Sequence, residues 1–302
     1  MSRFLDALHC RECDRPPVWL MRQAGRYLPE YREIRKGLKL EEMFLRPQIA
    51  AEVTMQPIRR FGFDAAILFA DILTPCAGFG LDVTFDGGPK VRGEWQPFDI
   101  ERVGHVKEAI GLLKQELDVP LIGFSGGPLT VTKYVDGKVD MDALTEGTIA
   151  YLKMQIEAGV DAVQIFDSWA GMLPKQQFVD RALPYLKKIV DAIKPFPVIV
   201  FTRGSCHLAD ELAGLGTQGI SFDWDKPMAS LRRHIPNSIA VQGNIDPVLL
   251  KKPPAVIEQE VTRLLESMRG QKGYIINVGH GLTPDIPVEG VEALMHAVTK
   301  MP

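Results

Sequence analysis

Residues 161–168 read DAVQIFDS. Within it AVQIF is apolar except for one glutamine and is rich in β-favouring residues. A strand with one wet face would alternate polar and apolar; a nearly continuous apolar run marks a strand covered on both faces, as in a parallel sheet. The run ends at once in Asp167 and Ser168. The same shape recurs outward in both directions: VWLM (18–21), AAILFA (65–70), VPLIGF (119–124), PVIVF (197–201), GISF (219–222), IAVQG (239–243) and YIINV (274–278), eight runs in all. Amphipathic stretches lie between them, at 41–62, 101–117, 173–194, 207–216, 254–270 and 287–300, with charges on one side at helical spacing. Alternating strand and helix implies right-handed βαβ units. Eight such units predict an α/β fold of the (β/α)8 TIM-barrel type, one domain over residues 1–302, rather than an open doubly wound sheet.

The bulk properties agree. The 302 residues are 46% hydrophobic and 24% charged, and the length suffices to bury roughly three quarters of the unfolded surface. A net charge of -3 and a pI of about 6.1 argue against a general nucleic-acid binder. No apolar stretch has the length of a membrane span, and MSRFLDALHC lacks a signal-peptide core. The four cysteines are sparse, which fits a reducing compartment. The expectation is a soluble, cytoplasmic protein with neither nucleic acid nor membrane as partner.

A barrel places its chemistry at the C-terminal ends of the strands. Those positions hold Arg22, Asp71, Ser125, Asp167 with Ser168, Thr202 with Arg203, Asp223, Asn244 with Asp246, and His280. Asp71, in FADIL, reads either as a helix N-cap or as a partly desolvated carboxylate aimed into the barrel mouth. Arg22 and Arg26 flank Gly25, which lets the backbone turn sharply or approach a ligand closely. Arginines fork onto anions, so this pair suggests a polyanionic small substrate, a phosphate or a polycarboxylate. Arg32 and Arg35 read as a solvated helix face. His280, between two glycines, is either a turn residue or an acid/base or carboxylate-binding group. GFSGGP (123–128) lacks the lysine and spacing of a phosphate loop. The lone C-x-x-C of HCREC (9–13) is a weak zinc signal, and Cys206 beside His207 has no downstream cysteine to complete a site. No metal site is assigned.

These motifs combine. PVWLMRQAGRYLPEYR resembles the N-terminal signature of the uroporphyrinogen decarboxylase family, and FADIL, GFSGGPLT followed by Tyr134, AVQIFDSWAG, SFDW, VQGNIDP and NVGHGLTPD follow in family order over nearly the whole chain. The resemblance implies a (β/α)8 barrel working as a homodimer without cofactor or metal. It implies decarboxylation of the four acetate side chains of uroporphyrinogen III to give coproporphyrinogen III in haem biosynthesis. By the same resemblance Arg22, Gln23, Ala24, Gly25 and Arg26 bind substrate. Asp71 accepts the pyrrole N–H groups at the centre of the macrocycle, and Tyr134, Ser168 and His280 complete the pocket. Asp71 and Arg22 are the implied catalytic pair, with His280 the alternative proton donor. The segment between Tyr134 and AVQIFDSWAG is shorter than the family's, and the stretch after Asp71 also looks trimmed. Two other readings fit the barrel: a zinc-dependent cobamide:thiol methyltransferase, and a tetrapyrrole carrier without turnover.

Overall fold

Seven of the eight apolar runs become strands of one parallel sheet. Along the chain the strands are β1 (Ala66–Ile67), β2 (Asp82–Thr84), β3 (Lys90–Arg92), β4 (Leu121–Gly126), β5 (Ala162–Phe166), β6 (Val198–Phe201), β7 (Gly219–Ser221), β8 (Ala240–Ile245) and β9 (Tyr274–Val278). β1 and β4 to β9 lie side by side in sequence order, and β2 and β3 pair antiparallel in a separate hairpin. The structure, a computed structural model, describes residues 2–300; Met1, Met301 and Pro302, the outer limits of the expected domain, lie outside the described residues.

The eighth run, VWLM, occupies the closing position without forming a regular strand. Val18 makes one parallel bridge to Ile276. Ile276 N donates to Pro17 O at 2.8 Å, and on the other flank Asp64 N donates to Val18 O at 2.9 Å. The segment therefore sits between β9 and the approach to β1 and completes the (β/α)8 barrel. A full ladder is missing because side chains take its place. Val18 N donates to Asp64 Oδ2 (2.8 Å), Leu20 N to Gln23 Oε1 (3.2 Å) and Met21 N to Asn277 Oδ1 (2.9 Å).

The barrel interior explains the one polar residue of AVQIF. Gln164 Oε1 accepts from Gln242 Nε2 at 3.0 Å; that amide also reaches Ser221 Oγ, and Trp19 Nε1 donates to Gln242 Oε1 at 2.9 Å. Buried amides paired in this way tie four staves together across the core.

Helices Pro47–Phe61, Gly104–Glu116, Met141–Ala158, Leu183–Ile193, Pro254–Ser267 and Val288–Thr299 cover the outside. Met141–Ala158 lay in the stretch marked as short; Asp140 caps it, accepting from Asp142 N and Ala143 N, and Gly159 ends it in the left-handed conformation. The expected stretch 173–194 divides at Ala182 into Lys175–Arg181 and Leu183–Ile193, because Pro184 suits only the first turn of a new helix.

Candidate active site

At the C-terminal end of the sheet a cleft of about 640 Å³ opens, and Arg22, Ala24, Gly25, Arg26, Asp71, Ser168 and His280 all line it. Residues as distant in the chain as Arg22 and His280 meet there because parallel strands deliver every following loop to one rim.

Arg22 makes the first turn itself. Its φ is 59°, a left-handed conformation uncommon for a residue with a side chain. Gly25, read as the turn residue, has no positive φ, and a Cβ there would meet only Arg22 O at 3.7 Å and Tyr27 Cδ1 at 3.9 Å. The glycine that matters to Arg22 is Gly281, where a Cβ would lie 2.5 Å from Arg22 Cδ. Arg22 and Arg26 are exposed to the cleft. Arg35, read as solvated, lines it too, with Nη1 donating to Tyr31 Oη at 3.2 Å. Among the described residues none of these three arginines has a carboxylate within salt-bridge distance. Arg32 instead ties the segment down, donating to Arg26 O and Tyr27 O at 3.1 Å.

Asp71 is not the helix N-cap, a place taken by Leu73, but it turns the chain just before the helix. Oδ1 accepts from Leu73 N at 2.9 Å and Asp71 N donates to Thr74 Oγ1 at 3.2 Å, bonds that hold the turn leading into the short helix Thr74–Gly78. The same carboxylate faces the cleft. Burial raises its pKa to about 6, opposed by the Leu73 amide and the Arg22 charge. His280 moves the other way. Burial, then the Arg22 and Arg203 charges, lower it to about 4, so the ring is neutral at pH 7. It stands edge-on to Phe201, with centroids 6.3 Å apart.

Two candidates lie elsewhere. Gln23 is fully buried, accepting from Leu20 N and donating to Ala65 O at 3.3 Å, while its own carbonyl accepts from Tyr27 Oη. It fastens the arginine segment to the wall and does not line this cleft. Tyr134 is absent from the lining; its hydroxyl lies 3.5 Å from Trp169 Nε1, and its ring packs on the satellite core around Leu73 and Cys76.

Several other strand ends bond to the backbone around them. Asp167 is buried with Oδ1 accepting from Thr130 N at 2.7 Å. Asn244 donates to Asp223 O and Lys226 O. Asp246 caps the turn Pro247–Lys251. Cys206 Sγ lies 3.5 Å from Asp223 Oδ1, and both ring nitrogens of His207 sit against backbone carbonyls, of Gly204 at 2.9 Å and Leu173 at 3.1 Å. The described residues contain no group of three or more His, Cys, Asp or Glu placed to hold a metal.

Comparison with known proteins places this geometry. The uroporphyrinogen decarboxylase (URO-D) family model matches residues 1–139 and 138–301. The uroporphyrinogen decarboxylase of Protochlamydia amoebophila is 41% identical, covering 98% of this chain and 91% of that protein. That of Trichlorobacter lovleyi is 39% identical over 99% and 98%. Among solved structures, a methyltransferase from Methanosarcina mazei superposes with a TM-score of 0.84 at 24% identity, covering 99% of this chain and 97% of its own, which speaks to the fold alone. The Protochlamydia alignment runs over 331 positions against the 302 residues present here. The two family matches meet at Lys138–Val139, in the segment after Tyr134 read as short, whereas the match is unbroken after Asp71. A match over both halves, and identities near 40% over almost the full length, establish that the chain belongs to the uroporphyrinogen decarboxylase family.

Proposed function

We propose that this protein removes the carboxyl groups of the four acetate side chains of uroporphyrinogen III, giving coproporphyrinogen III, without a cofactor. One observation carries the reading: a desolvated carboxylate, Asp71, faces a cleft that also holds three arginines with no acidic partner among the described residues. An octa-acid with four central N–H groups is the complementary ligand. Its carboxylates meet Arg22, Arg26 and Arg35, and its N–H groups meet Asp71.

Decarboxylation of an acetate on a pyrrole needs somewhere for the C–C bonding electrons to go. Protonation of the ring carbon bearing the acetate creates an iminium-like cation. The bond to the carboxylate then breaks, CO2 leaves, and its electron pair neutralises the ring as an exocyclic methylene. Protonation of that methylene and loss of the ring proton leave a methyl group. Asp71, ionised above pH 6, stabilises the cation by fixed electrostatics. A His280 that is neutral at pH 7 suits hydrogen bonding to a side-chain carboxyl better than proton donation, so Arg22 is the favoured proton relay.

One domain over residues 1–302, a homodimer and a cytoplasmic location go with this reading. Supporting the dimer, Trp169, Met172 and Trp224 stand exposed in loops after β5 and β7. Among the described residues no helix is long and apolar enough to cross a membrane. The deciding experiment is anaerobic incubation with uroporphyrinogen III and chromatography of the products. Stepwise appearance of hepta- to tetracarboxylate porphyrinogens is expected; binding without product would replace the enzyme by a carrier.

A further inference from the structure

Four aromatic rings run in contact from the barrel wall to the tip of the β2–β3 hairpin. Tyr31 meets Phe69 edge-on at 5.8 Å, Phe69 meets Phe44 at 4.8 Å, and Phe44 meets Phe85 edge-on at 5.7 Å between centroids. All four line the cleft that holds the arginines and Asp71. Phe69 follows β1 and Phe44 ends the helix Leu40–Phe44, so both stand on the barrel. Phe85 is different: it sits in the connection between β2 and β3, whose three residue pairs make a short hairpin. Gly87 and Gly88, at φ 68° and 108°, turn that tip and also line the cleft. The base of the hairpin is anchored, with Val91 bridged to Val135 and Arg92 paired with Asp136 at 3.1 Å. An anchored base and a glycine tip present one half-buried ring to the ligand.

The cleft therefore offers two kinds of recognition, cationic groups and an aromatic face. The substrate changes along exactly that division of chemistry, since each turnover replaces a hydrated acetate by a methyl. An acetate placed against a phenyl ring loses hydration without gaining a partner, whereas a methyl packs there favourably. We propose that Phe85, backed by Phe44, is a specificity-determining contact that favours substrate edges already decarboxylated, so that remaining acetates are turned toward Asp71 and the arginines. The inference rests on the decarboxylase reading and adds to it which intermediates the aromatic face selects.

The test is step-resolved product analysis of the full-length protein with uroporphyrinogen III, comparing wild type, Phe85→Ala and Phe85→Leu. In Phe85→Ala the first decarboxylation stays within about twofold of wild type. KM for the hepta- to pentacarboxylate intermediates rises about fivefold, the size expected for one lost aromatic contact, and these species accumulate. Phe85→Leu, which keeps an apolar surface, recovers most of the later steps. An unchanged intermediate profile in Phe85→Ala, or an equal fall of all four steps, overturns the inference while leaving the decarboxylase reading intact. A wild-type protein that forms no product overturns both.

Discussion

Arg22 depends on a residue it does not touch through its charge. Its side-chain stem lies where a Cβ on Gly281 would be, 2.5 Å from Cδ. The stem is flexible, so Gly281→Ala should move the guanidinium rather than unfold the protein. KM for the octacarboxylate rises about tenfold, with the melting temperature nearly unchanged, if a charge-assisted contact is misplaced. Asp71 couples activity to stability. Its folded pKa of about 6 lies above the unfolded value of 3.8, so between those values the unfolded state binds fewer protons and stability falls as pH rises. Asp71→Asn should therefore melt higher than wild type, by a margin that appears between pH 4 and 6 and is complete above it. Turnover in that variant drops about 100-fold or more, and wild-type activity falls as pH decreases through 6. The sequence brings such residues forward because they follow apolar runs, yet Asp167 and Asp246 follow apolar runs too and bond to backbone amides instead. Tyr134 and Gln23 were not separable from them: whether a polar side chain points into a cleft or back into the wall depends on its rotamer, which no spacing records.

At the scale of elements, the apolar runs gave away the sheet because burial on both faces forces a composition. The run VWLM shows the limit of that signal, since hydrophobicity reports burial and not which group satisfies each backbone amide. Here Gln23, Asp64 and Asn277 do so in place of a neighbouring strand. Replacing Gln23 by Leu removes the acceptor of Leu20 N and the donor to Ala65 O in a fully buried place. The expected cost is about 2–4 kcal/mol, read from the urea midpoint, with amide exchange accelerated first at residues 18–23. The hairpin β2–β3 was invisible for another reason: each strand has three residues, one valine between two exposed polar neighbours, and an alternation that short does not stand out.

For the whole molecule, the barrel tolerates a shorter chain than its relatives use. The family match breaks at Lys138–Val139, where the backbone is exposed at Lys138 between Tyr134 and the cap at Asp140. Loop closure grows only slowly with length, so a flexible insertion of about ten residues between Lys138 and Val139 should leave decarboxylation within about twofold and the melting temperature within a few degrees. Loss of folding on insertion would show that this junction is an integral part of the fold. The closing position of the barrel has a consequence for heat tolerance. One bridge, the backbone bonds from Asp64 N to Val18 O and Leu282 N to Met21 O, and the side chains of Gln23, Asp64 and Asn277 hold the segment that presents Arg22 and Arg26, while continuous ladders hold the rest. On warming, that seam loosens before the sheet does, and inactivation sets in several degrees below the calorimetric transition, reversibly, while the remaining staves are still in place.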